Sequence, residues 1–494
     1  MTTNDQTNGR TNDVAPTASF NESSTVPLWL DGKEVTTSKT FDVNSPVTGK
    51  KLYTAAAASE SDAQAAIDAC VRAFPAWSQT KPTVRRDIFL RAADEFRKRR
   101  DECYKYAFEE TGAPPAMFDF EFSGAIELCK SIAGLIQTVQ GSIPTPAAED
   151  QTAIMVREPY GVVLGIAPWN APYALGLRAC LQPLAMGNTV VLKGPEASPG
   201  TYWAISSVLH AAGLPPGCLN TLYHRPGADA ASITNFLVSS PAIKKVNFTG
   251  STGVGSIIAS LAGKNLKPVL MELGGKAPSI VCDDADINKA AFSCALGAFL
   301  HAGQICMSTE RIIVHRKIVE PFKEALKTSV EQIFSEHTPI LVSAVPVTKN
   351  KKLLADAVSK GAGVVYGDPD TNETLNTHMK PVILDNVQKE MDIYYTESFG
   401  PTVSIIAVDS DEEALQIAND TDYGLSSAVF TENLRRGLSI AKRIETGAVH
   451  INNMTVHDEA ALPHGGAKKS GFGRFNGREG LGEWVRTKVI TWKD

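Results

Sequence analysis

The chain has 494 residues, too many for one compact core, which implies two or three domains. Apolar residues make up 43 % and charged residues 21 %, a globular mix with enough apolar surface for large cores. A net charge of −6 argues against a nucleic acid or an anionic membrane as the main partner.

Residues 1–25 are polar, include Asp5 and Asp13, and lack the character of a secretory or transit signal, so they read as a disordered tail. The longest apolar stretch, 161–192, is broken by Pro168, Asn170, Pro172, Arg178 and Pro183 and is not a membrane span. Two short β-rich segments, 151–157 and 487–492, carry interleaved polar residues. Such distant strands can pair into a small projecting sheet, whose edges another subunit would cover.

From residue 162 onward, strands and helices alternate. Strands are expected at 162–167, 189–193, 219–223 and 245–249. Helices are expected over 172–186, ended by Gly187, from Pro199 to Gly213, and over 254–262. A second region, about 272–460, repeats the alternation. It has strands at 278–281, 312–315, 403–408 and 448–451, and helices over 287–300, 319–334 and 412–419. This predicts an α/β chain of two doubly wound, Rossmann-like parallel sheets with a cleft between them, plus the small β element. Ligands in such folds sit beyond the carboxyl ends of strands, where catalytic groups are expected.

The eight cysteines include no C-x-x-C pair, as expected for reduced thiols in a cytoplasmic protein, and no metal site is apparent. Most should be small buried apolar groups. Cys306 stands apart in the glycine-containing turn His301-Ala302-Gly303-Gln304-Ile305-Cys306-Met307-Ser308.

The turn Phe248-Thr249-Gly250-Ser251-Thr252-Gly253-Val254-Gly255 follows a strand and opens a helix. Backbone N–H groups and the helix dipole can hold a phosphate there. It is neither G-x-G-x-x-G nor a Walker loop, and by itself reads equally as a tight glycine turn. After the second strand come Lys193 and Glu196. An acid at this point of a doubly wound domain can accept both adenosine ribose hydroxyls and would repel a 2′-phosphate, which favours NAD. Alone, the pair reads better as a solvated loop. Glu272 ends a strongly apolar strand, and Asn170 lies in Pro168-Trp169-Asn170, where an N-cap or turn role is common.

Taken together and in order, these segments resemble the aldehyde dehydrogenase superfamily. The likeness adds Glu397-Ser398-Phe399-Gly400-Pro401, Tyr423-Gly424-Leu425, Pro463-His464-Gly465-Gly466 and Ser470-Gly471-Phe472-Gly473-Arg474, and covers about residues 26–494. It implies a Cys306 nucleophile, since a thiolate adds to a carbonyl carbon and leaves readily from a thioester. It implies that Asn170 and the Cys306 N–H hold the oxyanion, such a donor being worth about 3–4 kcal/mol. Glu272 would activate the hydrolytic water, and Glu479 would relay protons. NAD would be held by Ile166, Trp169, Lys193, Glu196, Phe248, Gly250, Ser251, Val254, Leu273, Glu397 and Phe399.

The resemblance assigns 26–145 and 159–271 to NAD binding, 272–460 to catalysis, and 146–158 with 479–494 to strands joining a homodimer or homotetramer. The run Ile305-Cys306-Met307-Ser308-Thr309-Glu310-Arg311 resembles the branch oxidising benzaldehyde, vanillin and salicylaldehyde. An aromatic-sized pocket is then expected from Tyr173, Leu177, Arg178, Ile305, Met307 and the loop near His457, with Arg178 equally readable as an ion-pair partner. The sequence departs from the family at His301, usually Asn, at Thr396, often Glu, in 224–229, which lacks the usual glycines, and in the shortened stretch 334–349. The shortening bears on the adenosine-side or surface structure there. A coenzyme-A-acylating enzyme would not need Glu272, a binding protein would not need Cys306, Glu272 and Asn170 together, and an NTPase would need the missing Walker lysine.

Overall fold

Strands such as Val162–Ile166 and Thr189–Lys193 are unbroken runs of buried, mostly β-branched residues, as a parallel sheet covered on both faces requires. The computed structural model describes residues 20–335 and 338–493. Its architecture is α/β, with two large sheets and three small ones.

The first sheet has eight strands. In spatial order they are Gly471–Phe472, Val269–Glu272, Ile243–Thr249, Val162–Ile166, Thr189–Lys193, Leu219–Leu222, Leu28–Leu30 and Lys33–Val35. The central strands are parallel, and Thr249 lies beside Glu272, Phe248 beside Ile166, and Ile166 beside Lys193. Their carboxyl ends are therefore level. The helix Pro172–Ala185 opens with proline at its first turn, where no amide donor is needed, and stops before Gly187 at φ +87°. The helix Pro115–Leu135 also opens on proline and packs on it through Met117, Phe118, Glu121, Phe122, Ala125 and Leu128, an i, i+3/i+4 stripe.

The second sheet has seven strands in the order Gly363–Tyr366, Val382–Asp385, Thr402–Val408, Thr309–His315, Ala277–Val281, Ser426–Phe430 and Ala448–Ile451, with only its first pair antiparallel. Here the expectation of carboxyl-end catalysis needs correction. The chain leaves the first sheet at Glu272 and enters the second at Ala277, so the carboxyl edge of one faces the amino edge of the other. Cys306 accordingly lies just before the strand Thr309–His315, not after it.

The expected tail also needs correction. Residues 1–19 lie outside the described residues, but Phe20 is buried, with its ring edge-on to Trp203 at 4.8 Å. The strands Gln151–Pro159 and Val485–Lys493 pair antiparallel along their length and leave Val489, Ile490 and Trp492 exposed. Among the described residues no helix is long and apolar enough to cross a membrane.

The closeness of the first sheet to its covering helix rests on Gly165, where an added Cβ would stand 2.8 Å from the Ala179 backbone oxygen. Gly165→Ala should therefore push the strand and helix apart and cost about 1–3 kcal/mol of stability. Chemical denaturation measures this, and unchanged stability would refute the close packing.

Candidate active site

The turn that carries Cys306 is held in an uncommon backbone. His301, Ala302 and Gly303 have φ of +50°, +58° and +73° in succession. Gly303 is required there, because a Cβ would lie 2.2 Å from the Gly400 carbonyl oxygen. Gln304 then pins the turn. Its side-chain amide donates to the Ile340 carbonyl at 3.1 Å, and its side-chain oxygen accepts the Val342 N–H at 2.9 Å. Asn170, at the end of the turn after the strand Val162–Ile166, donates from Nδ2 to the Gln304 carbonyl oxygen at 2.9 Å. That bond fixes the Asn170 amide beside the Cys306 turn.

Seven of the cysteines are buried, and Cys306 alone is partly exposed. Burial raises its thiol pKa well above the usual range, and the neighbouring Glu272 carboxyl raises it further. Glu272 is fully buried and neither oxygen has a well-formed hydrogen bond, so its proximity to the thiol acts mainly through charge. The His464 ring lies beside it, with Nε2 3.6 Å from Glu272 Oε1.

Two cavities meet at Asn170, Leu175 and Cys306. The larger, about 370 Å³, is lined by Trp169, Gly250, Ser251, Glu272, Leu273, Glu397 and Phe399, all singled out by sequence. It also takes Val342, Ser343, Val345, Pro346 and Lys349, from the shortened stretch 334–349, to which sequence analysis assigns no site role. The shortened stretch thus walls the Cys306 end of the cavity, not the Glu196 side, because it leads straight into the helix Ala344–Ser359. Glu397 accepts the Gly275 N–H at 2.9 Å, and burial together with repulsion from Glu310 raises its pKa to about 7. The Trp169 and Phe399 rings meet edge-on at 6.0 Å.

Ile166, Lys193, Glu196, Phe248 and Val254 lie outside this cavity, farther along the carboxyl edge. Lys193 Nζ sits 2.6 Å from His224 Nε2, and burial lowers its pKa to about 8 although Glu196 opposes the shift. Val254 leaves 47 % of its surface exposed on the first turn of the helix Thr252–Lys264, whose N-cap Ser251 makes no side-chain cap. The first amides of that helix therefore remain available to an anion.

The smaller cavity, about 60 Å³, is walled by Met117, Phe120, Glu121 and Leu128 of one helix, Ala174, Leu175 and Arg178 of another, and Ile305, Met307, Asp458 and His464. Tyr173 and Leu177 are not on it. Both are fully buried, and the Tyr173 hydroxyl donates to the Cys103 carbonyl at 3.0 Å. Their side chains leave the helix about 100° round from those of Ala174 and Arg178. Arg178 is on the wall but is ion-paired with Asp458; this pairing and His464 outweigh burial and hold the Asp458 pKa low. His457 itself has Nε2 2.9 Å from Glu459 Oε1. Glu479, expected to relay protons, is exposed on the short helix Gly477–Gly482 and lines neither cavity. The side chain next to Glu272 is instead His464. Among the described residues no group of His, Cys, Asp or Glu can hold a metal ion.

Residues 33–490 match the sequence profile of the Aldehyde dehydrogenase family. The chain is 42 % identical over 475 residues to a vanillin dehydrogenase of Pseudomonas fluorescens, covering 94 % of this chain and 97 % of that one. The fold superposes with a TM-score of 0.91 on a salicylaldehyde dehydrogenase of Pseudomonas putida G7 solved with salicylaldehyde, at 37 % identity, covering 95 % and 98 % of the chains. An NAD-dependent aldehyde dehydrogenase of Sinorhizobium meliloti also gives 0.91, at 30 % identity, covering 95 % of each chain.

The raised Cys306 pKa makes a prediction about the cofactor-free protein. Replacing Glu272 by Gln removes a negative charge from beside the thiol, so the pH limb for alkylation of Cys306 by iodoacetamide should move to lower pH. A limb that stays in place or moves up would show that Glu272 does not hold the thiol protonated.

Proposed function

The chain belongs to the aldehyde dehydrogenase family, and on that premise we propose that it oxidises aromatic aldehydes to carboxylic acids with NAD, through a thioester on Cys306. The observation that carries this reading is the junction of the two cavities. A partly exposed thiol stands where a large cavity and a small, mainly apolar one touch, with an amide and a carboxyl beside it.

The chemistry follows from those groups. The Cys306 thiolate adds to the aldehyde carbon, and the new oxyanion takes hydrogen bonds from the Asn170 side chain and the Cys306 N–H. Because the thiol pKa is raised, its proton leaves as attack proceeds, with the Glu272 carboxyl as the adjacent acceptor. Bound NAD would supply the hydride acceptor that lets the tetrahedral adduct become a thioester. Glu272 loses that proton to solvent, then takes one from water as the water attacks the thioester, and passes it to the departing sulfur, releasing the acid and restoring the thiol.

The residues present fit a dinucleotide. The first sheet ends on level carboxyl termini, the helix Thr252–Lys264 leaves its first amides uncapped, and Gly255 lets that helix approach Leu273, where a Cβ would stand 2.4 Å from Leu273 Cδ2. Glu397 and Phe399 would hold the nicotinamide riboside, while Lys193 and Glu196 would meet the adenosine ribose. The Glu196 carboxylate disfavours a 2′-phosphate and so supports NAD over NADP. The aromatic assignment is supported by the named relatives and by a wall of Met117, Phe120, Leu175, Ile305 and Met307. Closed to about 60 Å³, the cavity takes a ring as the flexible Met117 and Met307 side chains withdraw. The exposed Val489, Ile490 and Trp492 suit the two-stranded arm to joining a homodimer or homotetramer.

The reading is tested with NAD and NADP against salicylaldehyde, vanillin, benzaldehyde and hexanal. NADH should form, with kcat/KM higher for the aromatic aldehydes. Cys306→Ala should abolish it, and Asn170→Ala should lower kcat by about 10²–10³. Glu272→Gln should give a burst of NADH without sustained turnover. Activity surviving Cys306→Ala rejects the covalent route, and a preference for hexanal rejects the aromatic assignment.

A further inference from the structure

Glu121 is a carboxyl in an unusual place. It lies on the apolar stripe of the helix Pro115–Leu135, is 2 % exposed, and forms part of the wall of the small cavity next to Cys306. One oxygen is accounted for: Oε2 accepts the Tyr173 N–H at 3.2 Å, in the first turn of the helix Pro172–Ala185. The other, Oε1, is buried without a hydrogen-bond partner. A carboxyl that only capped that helix would need no second oxygen held dry beside the cavity. One turn further along, Gly124 leaves the space open, since an added Cβ would meet nothing within 4 Å.

The two opposite charges on this wall are matched to each other. Arg178 and Asp458 pair with each other, Asn476 donates to Asp458 at 2.9 Å, and the Arg178 guanidinium also lies 5.5 Å from the Phe475 ring centre. His464 lies between Asp458 and Glu272, at 3.7 Å and 3.6 Å. Arg178 Nε and His464 Nε2 also lack hydrogen-bond partners, but among the described residues lining this wall Glu121 Oε1 is the buried side-chain oxygen left for a ligand. Met117, Phe120, Leu128, Ile305 and Met307 around it offer only apolar contact.

We propose that Glu121 is a specificity-determining residue, whose free oxygen binds a hydroxyl group on the substrate ring, so that hydroxylated aromatic aldehydes are the preferred class. The inference rests on the aromatic reading above and sharpens it. Burial raises the Glu121 carboxyl to a pKa of about 8, opposed by the Tyr173 and Ala174 amides, so near neutral pH it is mostly protonated. A hydroxyl suits both forms, accepting from the acid and donating to the carboxylate, whereas an ether or an ammonium suits one. A site built around a hydroxyl rejects the analogue that lacks it more strongly than an apolar pocket rejects a methyl group.

The test compares kcat/KM for benzaldehyde, the three hydroxybenzaldehydes and the matching methylbenzaldehydes, in wild type, Glu121→Gln and Glu121→Met. Wild type should prefer at least one hydroxy isomer over both benzaldehyde and its methyl isostere by about tenfold or more. Glu121→Met should lower kcat/KM for the preferred hydroxy isomer by about tenfold more than for benzaldehyde, and Glu121→Gln should keep most of the preference. The methyl isostere tests the idea in wild type alone, should the Met variant not fold. Equal rates for hydroxyl and methyl in wild type overturn the proposal, as does a preference that survives Glu121→Met. A fall in benzaldehyde turnover as steep as that for the hydroxy isomers assigns Glu121 to helix capping and also overturns it. A wild type inert to every aromatic aldehyde but active on hexanal fails at the earlier reading instead.

Discussion

The site depends on two residues that lack side chains. Between the sheets the chain runs through Leu273, Gly274, Gly275 and Lys276, and it runs close to everything around it. A Cβ on Gly274 would lie 2.6 Å from Glu397 Oε2, and one on Gly275 would lie 2.3 Å from the Cys306 carbonyl oxygen. Bare backbone is therefore what lets the carboxyl edge of one sheet meet the amino edge of the other. Lys276, next in the chain, locks the junction by pairing with Glu310 at 2.5 Å, both side chains buried. A buried ion pair is stabilising only when its remaining lone pairs are satisfied. Glu310 meets that condition by accepting the Ser398 and Phe399 N–H groups at 2.8 Å and 3.2 Å. The same pair that joins the sheets thus also fixes Phe399, whose φ of +48° needs such support.

Around that junction the interior is acidic, and each acid has its own environment. Arg178 keeps Asp458 ionised, while burial pushes Glu397 and Glu121 toward the neutral form near pH 7–8. Glu272 has no cation in close contact and faces the thiol it is proposed to serve. Low-dielectric surroundings raise a thiol pKa, so a resting thiolate is not the form this pocket favours. Nucleophilicity then has to be generated during attack, and the proposed oxyanion donors beside Cys306 would help by drawing charge off the sulfur as the new bond forms.

Much of this was legible in the sequence, since strands such as 162–166 and 189–193 announce themselves as continuous β-branched runs. The Cys306 turn and the 397–401 segment were found through resemblance, because neither carries periodicity. What escaped was phase and distance. The helix Pro172–Ala185 is buried all round, so its apolar pattern could not say which side faces the cavity, and Tyr173 and Leu177 were placed on the wrong one. Glu479 looked like a site acid in sequence yet ends exposed, while His464 arrived beside Glu272 through a fold contact no local pattern encodes. One signal went unread: a glutamate at 121 on an otherwise apolar helical stripe needs a reason to be there.

The two cavities share only Asn170, Leu175 and Cys306, and this has a consequence for how such a site can change. Residues 117–128 touch the small cavity and not the large one, so their side chains can alter without reshaping the dinucleotide side. The reacting atoms, by contrast, are held from both sheets and from the link between them, where Gly274 and Gly275 tolerate no added atom. On the proposed mechanism the chemistry is therefore built into the rigid junction, and selectivity would be carried by one helix face that meets it from the side. A polar group on that face would act on the aldehyde alone, and that would separate the part of the molecule that chooses a substrate from the part that transforms it.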